Sequence, residues 1–386
     1  MMNKLVIYPP DEAYKNEKLI FFNNFIKEKT SNEILNLSSF DVAKSYGLDE
    51  NLVKNDTEYL EKIYDKFIKI LTNHLNTIHS ENKSERYWSI ILGQWLIQLI
   101  RASYNRYQTL GKAFKEFNIN NIVTLDDNEF VVADEYTDYF KDRSIDVLFD
   151  AILISKIIDF SKYKNKVSKK IKIKKNFSLY KNSNSNLEIK TFFKTGTKNL
   201  FKFFNIFKKN NDAFIVDTYL PFFKEKKLQM EINKFPQYWK APKFIYEKYD
   251  QRKRDMLKFD LSSSSEFEAI LLKIIKDYLP IAALESYKKL TLFIKQLPWP
   301  KNPKFILTAN SFSGNDVYKF WIADKTENGS PYFVCQHGFG YLEYVDKKMK
   351  VEFKTSDKFF SWGNFSHDKK IVPLFNLTLC EKEKKK

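Results

Sequence analysis

The chain has only nine glycines and four histidines, yet two of those glycines and one of those histidines fall within Gln336-His337-Gly338-Phe339-Gly340. A run of strand formers, Tyr332-Phe333-Val334-Cys335, leads straight into them. An imidazole titrates near neutrality, so a histidine placed there can accept a proton as a general base or donate to a phosphate or carboxylate. The glycine behind it lets a backbone amide approach a ligand closely. A plain turn holding a hydrogen-bonded histidine is the other reading of the same residues. Two more apolar runs end in polar groups: Ala213-Phe214-Ile215-Val216 in Asp217-Thr218, and Phe305-Ile306-Leu307-Thr308-Ala309 in Asn310-Ser311. Open parallel sheets bind ligands outside the carboxyl ends of their strands. The three polar ends therefore form one candidate site, containing Asp217, Asn310, Gln336, His337 and Gly338.

The remaining titratable residues carry less. His74 and His79 fall in a helical stretch and read as solvated or partly buried helix histidines, while His367 lies in a polar loop. Glu343 and Asp346 follow the His337 loop closely enough to orient an imidazole, but suit a surface equally well. Arg101 and Arg106 read as ion-pair formers. Glu285, in Leu284-Glu285-Ser286-Tyr287, is a further candidate for substrate contact. The sequence has no P-loop, no G-x-G-x-x-G, no H-E-x-x-H, no zinc-ligand spacing and no G-x-S-x-G elbow. No metal and no cofactor is expected.

Strands and helices must hold these groups in place. Lys4–Tyr8 reads as a first strand, closed by Pro9-Pro10. Asp56–His79 is helical, with Tyr59, Ile63, Phe67, Ile70 and Leu71 at three- and four-residue steps. Ser84 opens a long apolar helix running to about Tyr107, and 138–162 forms another. Further on, strands at 213–220, 304–310 and 331–336 alternate with helices at 267–280 and 315–329, and two short strands follow at 356–363 and 369–375. Ser262–Ser265 supply N-cap candidates for the first of these helices, and Gly329 ends the second. Such alternation predicts an α/β fold with a Rossmann-like parallel sheet flanked by helices, with extra helices ahead of it. A single such domain is expected over residues 1–378, with a disordered basic tail at 379–386.

Charge is concentrated. The formal net charge is +17, and Ser161–Asn210 alone holds fifteen lysines against one acidic residue, Glu188. That segment, 161–210, reads as a basic insertion or connector within the domain, either solvated or facing an anionic membrane surface. Its stretch Phe192–Lys209 interleaves lysines with Phe and Leu, which suits an interfacial helix. No nucleic-acid-binding signature accompanies it, so no nucleic acid is expected. Two cysteines, Cys335 and Cys380, make neither a disulfide framework nor a metal set. The apolar run after Met1 is too short for a signal peptide, and no stretch reaches the ~18 apolar residues of a spanning helix. A cytoplasmic protein is expected, soluble or peripheral at the inner face of the membrane.

Several segments occur together in a familiar order: Arg86–Tyr107, Asp217–Pro236, Phe267–Tyr287, Tyr318–Gly329, Cys335-Gln336-His337-Gly338-Phe339-Gly340-Tyr341 and Ser356–Gly363. They resemble a family of transferases found in bacterial surface-carbohydrate (lipopolysaccharide or capsule) gene clusters. The resemblance covers most of Arg86–Phe375, and its most specific parts are the Trp-rich helix and the Gln-His-Gly loop. It implies a glycosyltransferase-B architecture, in outline similar to capsule enzymes that move a 3-deoxy-octulosonate sugar from a CMP donor. In that family the loop tends toward Gln-His-Gly-Gly, and here Phe339 replaces the second glycine. Relatives continue well beyond Lys369–Leu379 into a second domain, so the chain is expected to correspond to the amino-terminal, acceptor-type half.

The function implied is glycosyl transfer from a nucleotide sugar to a glycan acceptor. His337 would be the base or a phosphate contact, Gln336 and the Gly338 amide would position substrate, Asn310 and Asp217 would line the same edge, and Glu285 would contribute less directly. The alternatives are a non-catalytic glycan- or partner-binding domain, or half of a split transferase completed by a separate carboxyl-terminal domain.

Overall fold

A computed structural model describes residues 2–12, 14, 16–126, 132–135, 147–172, 205–262, 264–338, 351–363 and 368–380. Two five-stranded sheets, both wholly parallel, organise it. The first is built from β1 (Met2–Val6), β2 (Glu17–Phe21), β3 (Ser39–Val42), β4 (Asn121–Leu125) and β5 (Val167–Ile171), in the order β3-β2-β1-β4-β5. The second is built from β6 (Phe214–Ile215), β7 (Ile306–Thr308), β8 (Tyr332–Cys335), β9 (Lys358–Ser361) and β10 (Ile371–Pro373), in the order β10-β9-β8-β7-β6. The fold is α/β and Rossmann-like, as the strand–helix alternation predicts. Where one sheet was expected there are two, because β2, β3 and β5 carry charged residues within short segments (Glu17 and Lys18, Asp41, Lys169 and Lys170). The first sheet has the doubly wound order, with its chain reversal between β1 and β4.

Twelve α-helices are described. Two short ones, α1 (Asn24–Lys29) and α2 (Asn32–Leu37), precede the long pair α3 (Glu50–His79) and α4 (Glu85–Phe117). Then come α5 (Val147–Phe160), α6 (Phe222–Asn233), α7 (Gln251–Asp255), α8 (Glu266–Tyr278), α9 (Tyr287–Lys295), α10 (Ser311–Gly314), α11 (Asp316–Glu327) and α12 (Val351–Thr355). The caps explain several boundaries. Ser84 caps α4 by accepting from the Tyr87 amide, and Ser265 with Glu268 forms a reciprocal capping box on α8.

Helix α3 buries one stripe, including Leu60, Ile63, Phe67, Leu71 and Leu75. Helix α4 is buried nearly all round between Tyr87 and Ile100, as a helix enclosed on every side must be. One hydrophobic core runs continuously through both sheets by way of this pair, joining Leu5 and Phe21 to Ile306 and Val334. Gly93 sits where α4 meets α3 and α12: a Cβ there would come within 2.6 Å of both Tyr64 Oη and Val351 Cγ1.

The basic segment expected as an insertion is, in its described part, partly strand. Strand β5 is the edge of the first sheet, with Lys169 and Lys170 exposed and paired to Glu12 and Asp159 at 3.0 and 2.8 Å. Residues 173–204 of that segment, together with Phe339, Glu343, Asp346, His367 and residues 381–386, lie outside the described residues. No described helix is long and apolar enough to cross a membrane.

Candidate functional site

Strands β6, β7 and β8 are neighbours in register: Ile215 pairs with Leu307 and Leu307 with Phe333. Their carboxyl ends therefore come out side by side, carrying Asp217, Asn310 and Gln336-His337-Gly338 to one edge. A cavity of about 470 Å³ opens there, lined by Asp217, Thr218, Tyr219, Glu225, Lys226 and Asn310 among others. Tyr219 joins the three ends. It lines the cavity, and its ring stacks on His337 with centroids 5.9 Å apart and planes 21° apart. Phe312, just past Asn310, packs on the same imidazole at 5.7 Å.

The loop after β6 is strained in a way the sequence did not announce. Asp217 and Tyr219 both have left-handed backbones, with φ of 48° and 63°. An aspartate tolerates this region, whereas a bulky aromatic adopts it only when its surroundings compel it. The surroundings here are specific. The Thr218 hydroxyl between them donates to Glu225 Oε2 at 2.7 Å and its amide donates to the same oxygen. The Ser311 hydroxyl donates to Asp217 Oδ2 at 2.7 Å, and the Ala309 amide donates to the Asp217 carbonyl at 3.0 Å. The outcome is an exposed carboxylate and a half-exposed tyrosine aimed across the strand ends.

Gln336 works inside the protein. Its side chain is buried, with Nε2 donating to the Gly338 carbonyl at 2.9 Å and Oε1 accepting from the Trp362 amide at 2.8 Å. It thereby ties the His337 turn to the end of β9. Gly338 has open space where a side chain would stand, so the turn is accessible beside His337. Cys335 is buried, and burial pushes its thiol up to about 12.

Glu285 is placed elsewhere. Both of its oxygens are taken by the Arg254 guanidinium, at 2.8 and 2.9 Å, and the two side chains are almost wholly buried. Arg254 spends its remaining reach on the carbonyls of Lys276 and Asp277. This carboxylate is not part of the cavity wall: it is buried and held bidentately by Arg254. Arg106 pairs with Asp150 at 2.7 Å, in keeping with its ion-pair reading.

Two residues unnoticed in the sequence belong to the site's wall. Glu225 holds the strained loop, and Lys226 is buried beneath it. The Lys226 ammonium donates to Glu225 Oε1, Gln229 Oε1 and the Gln237 carbonyl, and burial lowers its pKa. Both come from a helix, α6, whose inward stripe is polar: Lys226, Gln229 and Asn233 are buried. That stripe reverses the usual amphipathic pattern, so periodicity could not expose it. Its reason lies in β6, which is the edge of its sheet. Asn233 accepts from the Ala213 amide and donates to the Ala213 carbonyl, each at 2.8 Å, and Gln229 donates to the Ile215 carbonyl at 3.0 Å. Side-chain amides stand in for the missing neighbouring strand.

Among the described residues, no group of three or more His, Cys, Asp or Glu side chains is arranged to hold a metal ion. The segment after β4 reaches this region as well, since Glu135 accepts from the Asp316 amide at the start of α11 and from the Tyr246 hydroxyl.

Parallel sheets with a polar cleft at the carboxyl ends of adjacent strands define an α/β protein of the kind that binds small ligands at its strand ends. Residues 5–386 match the profile of the LIC12162 family transferases, and the chain belongs to that family. No curated protein and no solved structure matches the chain.

Proposed function

We propose that this transferase is a glycosyltransferase of surface polysaccharide or lipopolysaccharide assembly, of glycosyltransferase-B type, working at the carboxyl edge of β6, β7 and β8. The observation that carries the reading is the strained Asp217–Tyr219 loop held against His337 beside an open cavity. Backbone strain of this kind is kept where it presents groups to a ligand.

In the mechanism, His337 takes the proton from an acceptor hydroxyl. The freed oxygen attacks the anomeric carbon of the donor, and the bond from that carbon to the nucleotide phosphate breaks. The phosphate leaves with the electron pair. Asp217, fixed by Ser311, accepts hydrogen bonds from sugar hydroxyls, and Asn310 offers both donor and acceptor. Gln336 acts at one remove by fixing the His337 turn. The donor is a nucleotide sugar, with a CMP-linked sugar the first choice, and no metal or cofactor enters these steps.

The test is turnover by the purified chain of CMP-linked sugars and, in parallel, of UDP-linked sugars. His337→Ala should lose about 10²–10⁴-fold in rate, the usual contribution of a general base, with an unchanged melting temperature. Near-normal turnover in that variant would remove His337 from the chemistry. Glycan binding without turnover of either donor would favour a non-catalytic glycan- or partner-binding protein.

A further inference from the structure

The outward face of α6 is as unusual as its inward one. Phe223, Lys227, Met230 and Lys234 follow each other at four-, three- and four-residue steps, which places them on a single side of the helix and its cap. Phe223 is 69% exposed and Met230 45%. Just past the helix, Phe235 stacks on Phe207 at 5.1 Å, next to Ile206, which is 71% exposed. Lysines border these groups: Lys208 and Lys209 beside Phe207, and Lys224 beside Phe223. The acidic residue within this outer face, Glu231, is paired to Lys227 at 3.9 Å.

We infer that this face is a docking surface for an anionic lipid bilayer. Exposed apolar side chains ringed by lysines match a membrane interface, where the former enter the acyl boundary and the latter meet anionic headgroups. Charge complementarity selects this occupant over the others. A second copy of the chain meeting this face symmetrically would set lysines against lysines. Single-stranded nucleic acid needs a series of free aromatic faces, yet Phe207 and Phe235 stack on each other, Phe223 packs edge-on with Phe222, and Ile206 and Met230 have no ring to offer. The surface lies on the far side of α6 from the buried Lys226-Gln229-Asn233 stripe, so it can be altered without disturbing the fold. Tyr219, three residues before α6, lines the cavity, so docking would bring the cavity mouth near the headgroups. The proposal rests on this surface alone and holds whatever chemistry the cavity performs.

Flotation of the full chain with vesicles tests it. Binding is expected to vesicles of phosphatidylcholine and phosphatidylglycerol in equal parts, to weaken as salt rises, and to be absent with phosphatidylcholine alone. Phe223→Ser with Met230→Ser should abolish binding at an unchanged melting temperature. Lys227→Glu with Lys234→Glu should lower it at least about tenfold, since each lysine near such a surface contributes on the order of 1 kcal/mol. Equal binding to neutral vesicles, no binding to anionic ones, or full binding by both double variants would overturn the proposal. So would retention by single-stranded oligonucleotide in place of vesicles, or a dimer in sedimentation that the Phe223→Ser, Met230→Ser variant dissolves.

Discussion

Glu285 and Asp217 are both carboxylates singled out as substrate contacts, and the structure gives them opposite circumstances. Glu285 is buried against Arg254, with both oxygens held by the guanidinium and one of them also by the Asp250 amide. Asp217 stands exposed on a left-handed backbone, with one oxygen fixed by Ser311 and the carboxylate turned toward a cavity. One is closed and serves the fold. The other is held open against local conformational preference. The two histidines repeat the contrast. His79 is buried, stacked on Tyr287 at 4.1 Å and donating to the Ala283 carbonyl, while His337 is half-buried at the strand ends.

The sharpest way to break this contrast is to orphan the buried pair. Arg254→Leu should lower stability by about 3–5 kcal/mol, because it strands the Glu285 charge in the interior. Adding Glu285→Met should recover most of the loss in denaturant unfolding. A single substitution costing as little as an exposed one would show that the pair is not the closed structural element described.

A smaller effect should come from acid. Burial lowers the His79 pKa to about 4, from an ordinary 6.5. Between those values the unfolded chain binds a proton that the folded one refuses, so stability falls as pH drops through that window. The contribution is fully present above the unfolded value and amounts to on the order of 3 kcal/mol at about 1.4 per pH unit. His79→Phe should flatten that limb in melting curves taken from pH 7 to pH 4, and an unchanged slope would place the acid sensitivity elsewhere.

The smallest stability change, and the largest change in activity, belongs to the open side. Tyr219→Gly should be neutral to stabilising by up to about 1 kcal/mol, since glycine accepts the left-handed backbone and its entropy cost offsets part of the gain. It should nonetheless impair turnover together with Asp217→Asn. A clear loss of stability in Tyr219→Gly would mean that the aromatic contact, and not function, maintains the strain.

Much of this arrangement was legible in the sequence. The helices α3, α4, α8 and α11 followed from three- and four-residue periodicity and caps, and the strand ends at Asp217, Asn310 and His337 followed from apolar runs ending in polar residues. What escaped had physical reasons. Strands β2 and β3 carry charges within short segments, Glu17 and Lys18 in one and Asp41 in the other, so neither reads as an apolar run. Glu285 could not be told from a ligand contact, because its partner Arg254 lies 31 positions away. The left-handed Tyr219 had no glycine to mark it, and Glu225 and Lys226 sit in a lysine-rich helix whose buried side is polar.

That helix has one more consequence. A parallel sheet ending in a bare strand offers a row of amides and carbonyls on which another extended chain can grow. Asn233 and Gln229 occupy that row at β6 with side chains, which cannot be extended as a strand would be. The second sheet is therefore terminated chemically at this edge, and the protein can be crowded against neighbours of its own kind without β6 acting as a template for fibrous assembly.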